Sequence, residues 1–181
     1  MIQTELDVLR DVSQRLTAGG VAFMLTGSVA MNYYAQPRMT RDIDLVVAVT
    51  SEQVDRLIGM FEAEYYVDRS MVAKAIAQRS MFNLIHNETI IKLDCIVLKS
   101  DSYRQQEFGR RKLVSFGDFE TWIVSREDLI LSKLYWARNS KSELQLRDVK
   151  NLLTDDCDMP YLDNCADELG VKQLLIEVRS S

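Results

Sequence analysis

The sequence predicts an α+β protein, in which a mixed β-sheet flanked by helices is followed by a helical carboxyl-terminal extension. Three observations support this fold class. An apolar stripe with helical spacing runs through residues 2–18. Short strand-like runs bounded by turn residues recur between residues 21 and 124. After Ser125 the pattern is helical to the end. We therefore predict a core over residues 1–124 and an extension over 125–181 that packs on it.

Breaker residues divide the first third of the chain into elements. Gly19-Gly20 ends the first helix, and Pro37 stops the second. Ser51 is expected to cap the third helix. The expected order is helix 2–18, strand 21–26, helix 29–35, strand 43–49 and helix 51–62.

Two β-hairpins are expected farther along the chain. Turn residues at Asn87-Glu88 and at Gly117-Asp118 each fall between two apolar runs, which is typical of hairpins. The paired runs are 81–86 with 90–98, and 111–116 with 119–124.

Composition indicates a single globular protein. The chain has 181 residues, 47% of them hydrophobic, which is enough for one sizeable core. It has no apolar run of membrane-spanning length and no secretory apolar block at its start, so we expect a cytoplasmic protein without a membrane partner. Its three cysteines form no CxxC pair and it has one histidine. Reduced thiols are therefore expected, and a zinc site is not.

The charges are unevenly distributed. The net charge is -5, so the surface as a whole is not expected to grip nucleic acid. Residues 151–181 hold seven acids and two bases, whereas Arg110, Arg111 and Lys112 form a basic cluster. A local site for an anion and an ordinary solvated face both remain open for these bases.

Two aspartates in the strand after Pro37 point to chemistry. Asp42 and Asp44 are two residues apart, so their side chains lie on one face of the strand. Neighbouring carboxylates repel, and burying them is costly unless a cation compensates. Hard oxygen ligands in this arrangement suit Mg²⁺, which binds one or two carboxylates together with substrate phosphates.

A third aspartate extends this site. Asp94 lies inside the apolar strand IIKLDCIVL, where a turn residue is not expected. If that strand neighbours the first, Asp42, Asp44 and Asp94 could hold two metal ions about 3.5–4 Å apart. Such a pair would activate an attacking hydroxyl and stabilise a leaving pyrophosphate.

Gly27-Ser28 supplies a complementary phosphate site. Glycine lets the backbone approach a phosphate, and the amino terminus of the following helix presents free N–H groups. No Walker lysine follows, so the turn is not a P-loop. Taken singly, Ser28 could be only a helix cap and each aspartate only a surface acid. Their order and spacing together favour a catalytic site.

At this point the sequence resembles a known family. The run GSVAMNYYAQPRMTRDIDLVV closely resembles the hG[G/S]…DxD core of DNA polymerase β-like nucleotidyltransferases, with thirteen residues between Ser28 and Asp42. KLDCIV resembles the strand with the family's third carboxylate. The fuller pattern, with Pro37-Arg38 and Thr40-Arg41 before the aspartates, resembles the minimal bacterial nucleotidyltransferases, a branch that includes AbiEii-type toxins and stand-alone domains. The resemblance covers residues from about 20 to 175.

The helical extension carries a second part of the resemblance. SREDLILSKLYWARNSKSELQLRDVKNLL is similar to the segment in which that branch has a lysine and a downstream aspartate, here Lys133 and Asp148. The residues support this independently. Lys133 lies in a helix that is apolar nearly all round, Trp136 included, and Asp148 lies on an apolar stripe. A structural ion pair and a role in binding triphosphate both remain open.

Other candidates follow from the same pattern. Arg38, Thr40 and Arg41 are expected to lie near the phosphates, although loop arginines are often only solvated. Tyr33 and Tyr34 could stack on a base, but core packing is the more usual use. His86 is expected to be structural, because it is too isolated to form a triad.

The expected function is therefore Mg²⁺-dependent transfer of a nucleoside monophosphate from an NTP to an acceptor hydroxyl. The resemblance to the toxin branch implies tRNA as acceptor and an antitoxin protein as partner, although this chain is shorter than typical members. Antibiotic modification is the alternative enzymatic hypothesis. A catalytically silent nucleotide-binding or interaction domain is the hypothesis from a different class.

Overall fold

A computed structural model describes residues 4–40, 42–140 and 142–180. The strands are β1 Ala22–Thr26, β2 Asp42–Ala48, β3 Tyr65–Tyr66, β4 Met81–His86, β5 Lys92–Val97, β6 Lys112–Phe116 and β7 Phe119–Ile123. The helices are α1 Glu5–Ala18, α2 Gly27–Tyr34, α3 Val54–Phe61, α4 Arg69–Gln78, α5 Ser102–Gly109, α6 Arg126–Ser140, α7 Glu143–Leu152, α8 Met159–Glu168 and α9 Lys172–Ser180. None of these helices is long and apolar enough to span a membrane.

The seven strands form one mixed sheet in the order β3-β4-β5-β2-β1-β7-β6. β2 is parallel to β5 and β1 is parallel to β7, while the other neighbours are antiparallel. Both expected hairpins are present, as β4–β5 and β6–β7. The α+β class and the mixed sheet are thus confirmed.

Alternation along the central strands separates the core from the polar face. One face of β2 and β5 is buried and consists of Ile43, Leu45, Val47, Leu93, Cys95 and Val97. The opposite face carries Asp42, Asp44, Lys92 and Asp94. Because side chains alternate along a strand, burying the first set fixes the second on one common surface.

Several boundaries differ from the sequence-based expectation. α2 begins at Gly27, two residues early, and Ser51 does not cap α3: Thr50 precedes a short 3-10 turn, and its N–H donates to Gln53 Oε1 at 3.0 Å. Helices α4 and α5 were not expected. The residues that could have indicated their starts are Asp68 and Asp101, whose carboxylates cap these helices by accepting hydrogen bonds from backbone N–H groups of the first turn.

The helices after residue 125 close over the polar face. α6 packs against α2, α7 and α8, and α7 also contacts α2.

The expectation that α6 is apolar nearly all round is wrong in one respect. Tyr135 and Trp136 lie at the surface while Leu134 and Ala137 are buried. The division into two parts near residue 125 stays a prediction. All three cysteines are free and buried.

Candidate active site

A row of four polar residues crosses the middle of the sheet. Thr26 of β1 lies opposite Asp44 of β2, Asp44 lies opposite Asp94 of β5, and Asp94 lies opposite Asn83 of β4. Asp42 occupies the same face one step along and is paired in register with Lys92. The parallel pairing of β2 and β5 therefore brings the three predicted aspartates together and meets the condition on which their shared site depended.

Gly27 allows the α2 turn to approach this row. Its φ angle is +66°, in the left-handed region that glycine adopts without strain. A Cβ atom on Gly27 would lie 2.6 Å from Asp44 Cγ and 2.8 Å from Asp44 Cβ, so no other residue fits without displacing the carboxylate. The Ser28 N–H at the start of α2 donates a hydrogen bond to Asp44.

Ionisation of the Asp44 carboxylate is unfavourable in the folded protein. Burial, and then the nearby carboxylates of Asp94 and Asp42, raise the pKa of Asp44 from 3.8 to about 6. The Ser28 N–H and the ammonium of Lys133 only partly oppose this rise. The site would therefore be stabilised by an additional cation.

Lys92 supplies part of that positive charge. Its Nζ lies 3.1 Å from Asp94 Oδ1 and 3.8 Å from Asp42 Oδ2. Hydrogen bonding to Asp94 raises the pKa of Lys92. Asn83 also donates to Asp94 Oδ1 from the other side. Asp94 is thus held by two donors.

The carboxylates fit a divalent cation by their chemistry. Within residues 4–40, 42–140 and 142–180, no three acidic, histidine or cysteine side chains already form a ready-made metal site. The three aspartates are nevertheless hard oxygen donors on one face, and a protein cation already lies between two of them. Their mutual repulsion and the raised pKa of Asp44 are what a bound cation would relieve.

A buried ion cluster forms the opposite wall of the site. Lys133 Nζ lies 2.9 Å from Asp148 Oδ2 and 3.2 Å from Gln145 Oε1. Arg38 donates to both Asp148 oxygens, at 3.1 and 2.9 Å, and to Ser28 Oγ at 2.7 Å. The predicted Lys133–Asp148 ion pair is therefore present, and Arg38 joins it instead of being merely solvated.

This cluster is asymmetric in charge. One carboxylate, Asp148, is shared by two cations, Lys133 and Arg38. Burial acts to raise the pKa of Asp148, but the hydrogen bonds from Arg38 and Lys133 outweigh it and hold that pKa below its usual value. Burial lowers the pKa of Lys133. The wall thus carries a surplus positive charge.

An open cavity of about 250 Å³ is lined by Asp44 and by residues of this wall. We call it the main cavity. Gly27, Ser28 and Asp44 line one side of it, and Lys133 and Gln145 line the other. A phosphate chain is the kind of ligand that such a space suits, because helix N–H groups and an ammonium face each other across it.

Some predicted residues contribute less. Thr40 makes only a long contact of 3.4 Å from its hydroxyl to the Asp42 carbonyl, and Arg41 lies outside the described residues. Tyr34 donates to the Val124 carbonyl at 2.8 Å, and Tyr33 packs on Tyr34 and on Phe116. Tyr34 therefore packs against the fold, whereas Tyr33 is 40% exposed and lies against Phe116 at the surface. His86 is bonded to Thr89 and is structural, as expected.

Sequence reasoning missed four residues that support the site: Asn32, Asn83, Lys92 and Gln145. Lys92 carried a usable signal, because it is two residues before Asp94 and so lies on the same face. Asn32 exchanges two hydrogen bonds with the Arg38 backbone, at 2.8 and 3.0 Å, and fixes the loop that presents the guanidinium. No local sequence pattern predicts this role of Asn32, because its hydrogen bonds depend on the tertiary fold.

Comparison with known proteins gives matches in structure alone. No family model and no curated protein matches the chain. The lincosamide antibiotic adenylyltransferase LnuA, solved with lincomycin bound, superposes with a TM-score of 0.56 at 16% identity, covering 84% of this chain and 98% of that one. An antigenic nucleotidyltransferase-like protein from Paracoccidioides brasiliensis gives 0.57 at 15% identity, covering 96% and 91%.

The antibiotic-resistance factor ANT(2'')-Ia is a third similar structure. It gives a TM-score of 0.54 at 14% identity and covers 99% of this chain and 91% of that one. Identities this low establish architecture, not activity. The chain has the nucleotidyltransferase fold expected from its Gly-Ser turn and paired aspartates.

Proposed function

We propose that this protein is a metal-dependent nucleotidyltransferase, which moves a nucleoside monophosphate from an NTP to an acceptor hydroxyl. One observation carries the proposal. Asp44 and Asp94 stand side by side in register. Asp44 lies against the Gly27-Ser28 turn and lines a cavity that Lys133 also lines. A fold shared with adenylyltransferases supports it.

The triphosphate would lie between the α2 turn and the ion cluster. The Ser28 hydroxyl and the free N–H groups at the start of α2 would donate to the β- and γ-phosphates. Lys133 and Arg38 would supply positive charge, since Asp148 neutralises only one of them. Arg38 now donates to Ser28 Oγ, so this guanidinium already lies beside the phosphate donors.

The reaction itself is an in-line displacement at the α-phosphorus. The acceptor oxygen forms a new bond to that phosphorus while the bond to the bridging oxygen of the β-phosphate breaks, and pyrophosphate leaves. Asp94 would take the hydroxyl proton, and Asn83 and Lys92 would hold its carboxylate in position. Mg²⁺ bound by Asp42, Asp44 and Asp94 would neutralise charge that develops on the phosphoryl oxygens.

Two acceptor classes are consistent with this site. Resemblance of the sequence to the AbiEii-type toxin branch favours tRNA, with an antitoxin protein that restrains the enzyme. LnuA and ANT(2'')-Ia, in contrast, are associated with antibiotics, and a structure of the latter contains adenylyl-2''-tobramycin. A catalytically silent binding domain would have no use for three carboxylates arranged to bind a cation.

The test is transfer of label from each of the four NTPs, labelled at the α-phosphate, in the presence of Mg²⁺. Separate reactions contain total tRNA, lincomycin, tobramycin or the protein alone. Label on RNA supports the toxin-like function, and label on a drug supports the alternative. We expect Asp44→Asn to abolish transfer. The matched control Asp155→Asn, which removes an exposed carboxylate that does not line the cavity, should leave transfer intact. Equal transfer by both variants would rule out the proposed site.

A further inference from the structure

The main cavity continues into a second, smaller one. This side pocket has a volume of about 90 Å³ and shares Thr26, Ile96, Ser132 and Trp136 with the main cavity. It lies beyond the carboxylate row, toward the carboxyl ends of β2 and β5. Its floor is apolar, because Val46 and Ile96 follow Asp44 and Asp94 at a spacing of two on the same face.

Trp136 stands at the junction of the two cavities. It is 70% exposed, although Leu134 and Ala137 of the same helix are buried. Ser132, Lys133 and Trp136 are spaced so that one face of α6 presents all three to the cavities. Trp136 is one turn from Lys133, a rise of about 4.5 Å along the helix axis. A single ligand can therefore contact both.

One wall of the side pocket is polar and consists of Arg104, Glu107 and Ser132. Glu107 is only 3% exposed, and its two carboxylate oxygens accept from Arg104 Nη1 and from Ser132 Oγ, each at 2.7 Å. Arg104 also donates to Ser132 Oγ at 2.8 Å. The wall thus offers acceptor lone pairs on Glu107 beside donors on Arg104. An apolar floor, an aromatic face and a mixed polar edge are complementary to a planar heterocycle.

We propose that the side pocket receives the nucleobase of the NTP. Trp136 stacks on its face, and Glu107, Arg104 and Ser132 contact its polar edge. The inference rests on the proposed function, because it places the base relative to a triphosphate at Ser28 and Lys133. The acceptor then approaches from the opposite side of the row, at the amino ends of β2 and β5, where Asp42 and Lys92 are exposed to solvent.

Binding of NTPs and of inorganic tripolyphosphate to Trp136→Ala tests the inference directly. Tripolyphosphate has the phosphates but no base. We expect Trp136→Ala to weaken binding of at least one NTP by about tenfold or more, as for loss of a stacked base. Tripolyphosphate should bind the variant and the native protein equally. Tyr66→Ala, which removes an exposed aromatic ring at the far edge of the sheet, should change neither affinity.

Tryptophan fluorescence gives an independent readout. The chain has two tryptophans, Trp122 and Trp136, so Trp136→Phe leaves Trp122 as the reporter. We expect an NTP to quench the native protein and to leave Trp136→Phe unchanged. Tripolyphosphate should quench neither.

Four results would overturn the inference, and only one of them, the failure of the native protein to bind either ligand, would overturn the proposed function as well. If Trp136→Ala binds every NTP normally, the base lies elsewhere. If it loses tripolyphosphate as strongly as NTP, Trp136 acts on the phosphates. If the native protein binds neither ligand, the proposed function fails as well. Normal NTP affinity together with impaired transfer would instead assign the pocket to the acceptor.

Discussion

The backbone of Gly27 lies directly against the carboxylate of Asp44. A Cβ atom at position 27 would overlap Asp44, and the φ angle of +66° already excludes most residues. The turn that presents N–H groups to a phosphate and the strand that presents a carboxylate to a cation are therefore in contact. This proximity is what joins the two halves of the site.

Gly27→Ala should disrupt both the fold and the site. We expect the left-handed backbone alone to cost about 1–3 kcal/mol of unfolding free energy, with a further loss from the overlap with Asp44. Urea unfolding measures the loss. The matched control is Gly59→Ala in α3, where an added Cβ meets nothing within 4 Å. That change should stabilise the protein by about 0.5–1 kcal/mol. Equal stability of Gly27→Ala and the native protein would contradict the geometry.

Asp44→Asn should stabilise the metal-free protein near neutral pH. The pKa of Asp44 rises to about 6 on folding, so the folded state binds more protons than the unfolded state between about pH 4 and 6. Stability is therefore lost as the pH rises through that window, by roughly 2–3 kcal/mol in total. The amide carries no charge and should remove this loss.

Unfolding curves at pH 4.5 and pH 7.5 measure the effect. We expect the advantage of Asp44→Asn over the native protein to be larger at pH 7.5. Mg²⁺ should reduce the difference in unfolding free energy between the two proteins, because the ion stabilises only the ionised carboxylate of the native protein. An advantage that grows as the pH falls would have the wrong sign and would contradict the raised pKa of Asp44.

Asp148→Asn should be more destabilising than Lys133→Met. Removing the shared carboxylate leaves Lys133 and Arg38 side by side without their counter-ion, at a cost of about 3–5 kcal/mol. Removing Lys133 leaves Asp148 paired with Arg38, so the loss should be smaller. Chemical denaturation of both variants gives the order. The reverse order would show that Arg38 does not compensate Asp148.

Lys92→Gln should tighten binding of the divalent cation by several-fold. The Lys92 ammonium lies between Asp94 and Asp42 and repels any cation that these carboxylates hold. Calorimetric titration with Mg²⁺ or Mn²⁺ in the absence of nucleotide measures the affinity. Weaker binding in Lys92→Gln would mean that the lysine organises the ligands more than it repels the ion.

Short-range rules were sufficient for the strand carboxylates. A spacing of two put Asp42 and Asp44 on one face, and the apolar alternation around Asp94 did the same for β5. Whether the two strands were neighbours could only be stated conditionally. Strand order depends on pairing between segments fifty residues apart, which local patterns do not encode.

Local sequence patterns also predicted the ion cluster only in part. Sequence patterns singled out Lys133 and Asp148 because charges on apolar helix faces need partners. They did not predict that Arg38, 110 residues before Asp148, would bond it through both oxygens. Nor did they predict the exposure of Trp136, because an aromatic residue in an apolar helix is usually core. Trp136 lines an open cavity instead of packing in the core.

The most direct test of the central claim compares an NTP labelled at the α-phosphate with the same NTP labelled at the γ-phosphate, in Mg²⁺ and with an acceptor that becomes modified. Nucleotidyl transfer predicts that the α-label moves to the acceptor and the γ-label is released as pyrophosphate, and that Asp44→Asn stops both. Transfer of the γ-label to the acceptor, or unchanged transfer in Asp44→Asn, would contradict the account.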